Sequence, residues 1–157
     1  MGMTLWKQTL QLRAFGLKSI PLLFIARPRI TKLTPRDCEV VIPLNYITKN
    51  HLGCMYFGTL AMGADCAGGL MALQSIRKSG KKVDLLFKDF KADFLKRAEG
   101  DVHFVCKEGQ AIQKQVEQAL RTKQRVNRTL KITATTPRQT GKSPVAEFAL
   151  TLSLKAR

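Results

Sequence analysis

One carboxylate stands where its surroundings offer it nothing to pair with. Asp65 lies in Leu60-Ala61-Met62-Gly63-Ala64-Asp65-Cys66-Ala67-Gly68-Gly69, a stretch otherwise without charge. At helical spacing its neighbours are Ala61, Met62, Gly68 and Gly69, and none can neutralise it. Burying an unpaired carboxylate is costly, so a raised pKa, a solvated cleft or a partner from elsewhere in the fold must accompany it. Acids perturbed in this way are candidates for general-base or nucleophilic chemistry. The residues before it form a second feature. Asn50-His51-Leu52-Gly53-Cys54-Met55-Tyr56-Phe57-Gly58 opens the same helix, and the first turn from Phe57 to Leu60 presents free N–H groups at the positive end of the helix dipole. Such an end stabilises a phosphate or the oxyanion of a polarised carbonyl. Phe57 and Asp65 are separated by about 12 Å along a helix axis, too far for one carbonyl to touch both in the same subunit. In a two-fold dimer the donors of one helix could meet the acid of the other.

The cysteines carry less chemistry. Cys38, Cys54, Cys66 and Cys106 are 16, 12 and 40 residues apart, with no CxxC pair, and His51 and His103 are the only imidazoles. No metal site is expected from that spacing. The thiols read as small buried hydrophobes in a reducing, cytoplasmic setting. His103 alternates with apolar residues and reads as a half-buried strand residue.

The elements that must position Asp65 follow from periodicity. From about residue 57 to 78 the apolar residues cover the whole circumference of a helix, which must therefore be surrounded. Ser79-Gly80-Lys81-Lys82 ends it with a glycine and cations. Before it, Arg29 onward is strand-like, and Cys38, Val40, Ile42 and Leu44 alternate with Glu39, Val41 and Pro43. After it, Val83 to Ala98 is a long aromatic-rich strand whose phase slips near Phe87 to Asp89, the mark of a bulge. Val102 to Cys106 alternates, about 109–123 is an amphipathic helix with a Glu117–Arg121 pair, and the segments around 126–134 and 146–154 are the clearest strands. The expectation is an α+β domain: an antiparallel sheet of five to six strands wrapped round one long central helix, with dimerisation covering the helix's far side. The whole of 1–157 reads as one domain, with 1–27 as an N-terminal helical extension.

The chain of 157 residues carries 27 Lys and Arg against 11 Asp and Glu, a net charge of +16, with 45% hydrophobic and 24% charged residues. Such a composition excludes a disordered chain and fits a single core. The charge points to an anionic partner without naming it. No zinc finger, basic zipper or aromatic RNA-binding strand accompanies it, and the cations are spread from Lys7 to Arg157, so nucleic acid is not the expected partner. Residues 1–36 contain seven basic residues and no acid. Their longest apolar run, Ile20 to Ala26, is far short of the ~20 residues of a membrane span, and Pro21 interrupts it. Leu5, Trp6, Leu10, Phe15 and Leu17 instead suggest an amphipathic helix, docked on the domain's own core or lying at a membrane surface.

The stretch from Asn50 to Asp65 resembles the signature of hotdog-fold acyl-CoA thioesterases, in the branch of the phenylacetic-acid-pathway enzymes. There an Asn precedes a Gly, a His-Gly-Gly triplet opens the central helix, and an acid follows two turns later. Asn50, Gly53, Gly58 and Asp65 fall on those positions, and the wider chain resembles an uncharacterised bacterial thioesterase-like subfamily. The triplet reads Tyr56-Phe57-Gly58 here, so the imidazole and first glycine are replaced, although the Phe57 N–H survives. The Ser or Thr that relatives often place after the central helix is missing near Lys82 to Asp84. The resemblance implies hydrolysis of acyl-CoA or acyl-carrier thioesters. Asp65 would act as base or nucleophile, Asn50 would position water or carbonyl, and the N–H groups at Phe57 and Gly58 would polarise the thioester. His51, Gly53 and Tyr56 would line the substrate. No cofactor is implied beyond the coenzyme A of the substrate itself. A homodimer is implied, with a tetramer as a further assembly. The alternative is a hotdog domain that binds an acyl group or CoA without hydrolysing it, and a nucleic-acid-binding protein stands behind both.

Overall fold

The structure is a computed structural model and describes residues 4–157; the first three residues of the expected N-terminal extension lie outside the described residues. In chain order the elements are α1 (Leu5–Ser19), α2 (Pro21–Ile25), β1 (Arg29–Leu33), β2 (Cys38–Ile42), α3 (Phe57–Ser79), β3 (Val83–Phe94), β4 (Val102–Cys106), α4 (Gly109–Thr122), β5 (Val126–Thr135), α5 (Pro137–Thr140) and β6 (Pro144–Ala156). The strands form a single six-stranded sheet in the order β1-β2-β4-β5-β6-β3, every pairing antiparallel. The α+β architecture expected from periodicity is present, and the sheet packs against α3 with contacts from five of its strands.

Alternation explains the strands. Leu130, Ile132 and Ala134 of β5 are buried and pair in register with Leu150, Phe148 and Ala146 of β6, while Lys131 and Thr133 between them face solvent. The phase slip in β3 is a real irregularity: its register against β6 shifts between Phe87 and Phe90. All four cysteines are free and buried in the core, with Cys38, Cys66 and Cys106 in the main cluster. Burial pushes the Cys66 thiol up to about 12 and Cys106 to about 11, which removes both as nucleophiles at neutral pH.

The central helix sits closer to the sheet than ordinary side chains would permit. A Cβ on Gly63 would meet the Phe104 ring at 2.2 Å, so this glycine sets the helix–sheet distance. The helix closes at Gly80 with φ of 65°, a left-handed cap that glycine adopts freely. The chain does not surround α3 on every side: Gly58, Ala61, Met62, Asp65, Gly69 and Leu73 are only half-buried. At 100° per residue these six fall on one face, turned toward the N-terminal helices and the β3 edge of the sheet.

Two further corrections concern the flanking helices. The N-terminal extension is two helices, because Pro21 cannot continue the first, and Ile20 breaks from helical geometry at φ of −140°. Its docking face is Leu12 and Gly16; of the apolar set in the sequence, Leu5, Trp6, Leu10 and Leu17 are exposed and Phe15 is half-buried. Gly16 allows the approach, since a Cβ there would lie 3.0 Å from the Phe24 nitrogen. The Ile30 N–H donates to Thr9 Oγ1 at 3.0 Å, and Arg13 Nε donates to the Pro28 carbonyl at 3.2 Å, fixing α1 to β1. On α4, Glu117 accepts a hydrogen bond from Gln113 at 3.0 Å and forms no ion pair with Arg121. Among the described residues no helix is long and apolar enough to cross a membrane.

Candidate functional site

The loop 45–56 delivers the N-terminus of α3, and Asn50 is its organiser. Its side-chain oxygen accepts from the N–H groups of Leu52 at 2.9 Å and Cys54 at 3.3 Å, and its own N–H donates to the Cys54 carbonyl at 2.7 Å. Gly53 takes φ of 79° inside this turn, in open space. The Met55 N–H then donates to the Ala98 carbonyl and the Tyr56 N–H to the Thr48 carbonyl, each at 2.8 Å. Those two bonds fix where the helix begins. His51 is exposed beside the turn, and Asn50 holds the loop through its oxygen rather than reaching Asp65.

The helix opening differs in one respect from the expectation of four free donors. The N–H groups of Thr59 and Leu60 both donate to the Tyr56 carbonyl, at 2.9 and 3.1 Å. The N–H groups of Phe57 and Gly58 have no acceptor among the described residues. Two donors therefore remain at the positive end of a 23-residue helix. Aromatic rings surround them. Tyr56 and Phe57 have ring centroids 4.8 Å apart, Phe57 meets Phe94 of β3 at 6.3 Å, and Phe94 meets Phe148 at 6.3 Å. A Cβ on Gly58 would lie 2.6 Å from the Tyr56 ring, so glycine is what lets that tyrosine fold over the first turn.

Two turns further on, Asp65 projects from the same face as Gly58, about 10 Å along the axis. Its carboxylate forms no ion pair and no hydrogen bond among the described residues, and burial alone raises its pKa above 3.8. It opens into a cavity of about 320 Å³. Phe15, Ile20 and Leu23 of the two N-terminal helices form one wall of that cavity, and Leu70, Leu85 and Phe87 form much of the other. None of Asn50, His51, Gly53, Tyr56, Phe57 or Gly58 lines it. Within one chain the structure therefore places two candidate features on one helix face: free donors beside aromatic rings, and an unpaired acid heading an apolar cavity.

The cavity wall from α1 and α2 was not legible as part of a site. The usable signal was Pro21, which turns the apolar run Ile20–Leu23 back over the central helix. Phe90 and Phe94, exposed on β3, were read as strand residues without a link to the helix opening. His103 sits away from both features, with Nδ1 2.8 Å from Glu39 Oε1 across the β2–β4 ladder. Among the described residues no three His, Cys, Asp or Glu side chains converge as metal ligands.

The chain belongs to the DUF4442 family, a domain of unknown function, matched over residues 8–154. No curated protein matches it by sequence. A Pseudomonas aeruginosa protein described as a probable thioesterase superposes with a TM-score of 0.78 at 23% identity, over 95% of this chain and 96% of that one. A Chlorobaculum tepidum protein of unknown function gives a TM-score of 0.83 at 12% identity, covering 98% of each chain. A Haemophilus influenzae thioesterase gives 0.68 at 14% identity, over 99% of this chain and 93% of that one. The fold is thus the hotdog fold of thioesterase-like proteins.

Proposed function

We propose that this member of the DUF4442 family is a thioester hydrolase acting on acyl-CoA or acyl-carrier thioesters, with its site completed between two copies of the chain. The observation that carries the reading is Asp65: an unpaired, half-buried carboxylate on the same open helix face as two free N–H groups. Those donors and that acid are about 10 Å apart in one chain, so a single thioester group needs the donors of one copy and the acid of the other.

A homodimer supplies that arrangement. β3 is a 12-residue strand at the sheet edge, with Leu86, Phe90 and Phe94 exposed, and such an edge favours pairing with a second strand. Joining two β3 edges about a two-fold axis brings the open α3 faces together in antiparallel fashion. The Phe57 and Gly58 N–H groups of one protomer then hold the thioester carbonyl oxygen, and Asp65 of the other faces the carbonyl carbon. Asp65 takes a proton from water as the water oxygen attacks that carbon. The tetrahedral oxyanion rests on the two N–H groups, the C–S bond breaks, and the departing thiolate takes the proton back from Asp65. The acyl chain occupies the cavity under α1 and α2. A carboxyl held above the ordinary aspartate value by burial is a stronger base than an ordinary one.

The test is release of free thiol from acyl-CoA esters of graded chain length, with Asp65→Asn beside the parent. The variant is expected to lose about 10²–10⁴-fold in turnover. One observation favours a second reading. The Phe57 side chain stands where the signature this chain resembles has a glycine, is 60% exposed and lies against Tyr56 at the donor end of α3. Binding of CoA esters with no turnover by either protein would establish a non-catalytic acyl- or CoA-binding protein instead.

A further inference from the structure

Docking of α1 on the core leaves a second apolar row facing outward. Trp6, Leu10, Ala14 and Leu17 follow i, i+4, i+8 and i+11 along the helix, spanning about 80° of its circumference. They are exposed, Trp6 to 61%, Leu10 to 52% and Leu17 to 60%, while Leu12 and Gly16 on the opposite face are buried. A helix with apolar residues on both faces has one face spoken for and one available. Lys7 and Lys18, both exposed, border the outward row on one side, while Arg13 turns its guanidinium to the Pro28 and Arg27 carbonyls. Residues 1–36 contain no acid, and the whole chain carries +16.

We propose that this outward row is a docking surface for an anionic phospholipid bilayer, on which α1 lies in the plane of the interface. Trp6 and the two leucines would enter the boundary between headgroups and acyl chains, with Lys7 and Lys18 extending their stems to the phosphates. Charge decides between this occupant and a second copy of the chain. Two such rows facing each other would bring Lys7 and Lys18 of both copies together without one acid from the first 36 residues to offset them. An anionic headgroup layer supplies the missing charge. The place in the fold agrees: α1 is fixed to β1, the sheet edge opposite the open edge strand β3. The surface is independent of the chemistry at Asp65, although Phe15 on the flank of the same helix walls the cavity that Asp65 heads.

Trp6 is the only tryptophan of the chain, so its fluorescence reports on this surface alone. The full chain is titrated with phosphatidylglycerol vesicles and, separately, with phosphatidylcholine vesicles, and sedimentation is followed in parallel. A blue shift and co-sedimentation with the anionic vesicles, weakened by salt and largely absent with the neutral ones, are expected. Leu10→Gln/Leu17→Gln and Lys7→Gln/Lys18→Gln should each need at least tenfold more lipid while keeping the parent's circular dichroism. No blue shift with anionic vesicles overturns the proposal, as does sedimentation without one, because contact then occurs elsewhere. Emission that is already blue without lipid, and red-shifts on dilution, assigns the row to a second copy and overturns it equally.

Discussion

Removing the charge of Asp65 should stabilise the fold while abolishing its chemistry. The carboxylate is half-buried without a hydrogen-bond or ionic partner among the described residues, and burial raises its pKa above the 3.8 of the free group. The folded state therefore prefers the protonated acid, and the unfolded state releases its proton first. Below about pH 3.8 Asp65 is neutral in both states and costs the fold nothing ionic. As pH rises through the raised folded value, the fold must accept a charge, and stability is lost. Asparagine has nearly the same shape and never ionises. A buried unsatisfied polar group costs about 1–3 kcal/mol and a charged one more, while asparagine keeps the polar share of that cost. The net gain from Asp65→Asn at neutral pH is then about 1 kcal/mol, which for a domain of this size raises Tm by about 2–4 °C. Thermal unfolding followed by circular dichroism at pH 7 and in acid, at one protein concentration, measures it. The gain should be present at pH 7 and shrink as the pH falls toward 3.8. A variant less stable than the parent at pH 7 refutes the reasoning, because Asp65 must then be held by a cation, such as one from a neighbouring chain.

Other substitutions separate the remaining parts of the account. Phe57→Pro deletes one free N–H at a helix position that tolerates proline, and Tyr56 before it already has φ of −62° and ψ of 137°, as a residue preceding proline requires. Thiol release should fall about 10²–10³-fold in Phe57→Pro, while Phe57→Ala, which keeps the N–H, should stay near the parent. Phe90→Asp places a charge on the exposed β3 edge and should shift the chain to monomer in analytical ultracentrifugation, with activity lost in step. Gly63→Ala drives a Cβ into the Phe104 ring and should lower stability by about 1–3 kcal/mol in urea unfolding. Gly69→Ala, whose Cβ has only ordinary contact with Phe87 at 3.8 Å, should gain about 0.5–1 kcal/mol by the same measurement.

Much of the fold was readable because its signals are local. The alternation at Leu130, Ile132 and Ala134, or at Phe148 and Leu150, reports burial one residue at a time, and the sheet obeys it. The bulge in β3 was visible for the same reason, since a register shift must reverse the phase of the apolar residues. For the N-terminal helix the pattern leaves core and surface docking open, because it carries two apolar rows. Periodicity cannot say which row faces inward; the close approach of Gly16 to Phe24 and the Thr9–Ile30 hydrogen bond decide it, and both are tertiary. Asp65 was legible as an anomaly, a charge without a helical neighbour to balance it. Its cavity was not, because one of the two walls comes from residues more than forty positions away. Asn50 shows the limit of a motif: its oxygen is committed to its own loop, an arrangement an asparagine in any such turn can adopt.

The claim that the site is shared between two protomers can be tested by complementation. Asp65→Asn and Phe57→Pro chains are co-expressed with different tags, and the mixed dimer is isolated and assayed for thiol release. In the mixed dimer one site carries both defects, while the other keeps an intact Asp65 from one chain and an intact Phe57 N–H from the other. The account predicts that each parent variant is nearly inactive and that the mixed dimer recovers about half the turnover of the unsubstituted dimer, one working site of two. A mixed dimer as inactive as its parents, with binding of CoA esters retained, would contradict it.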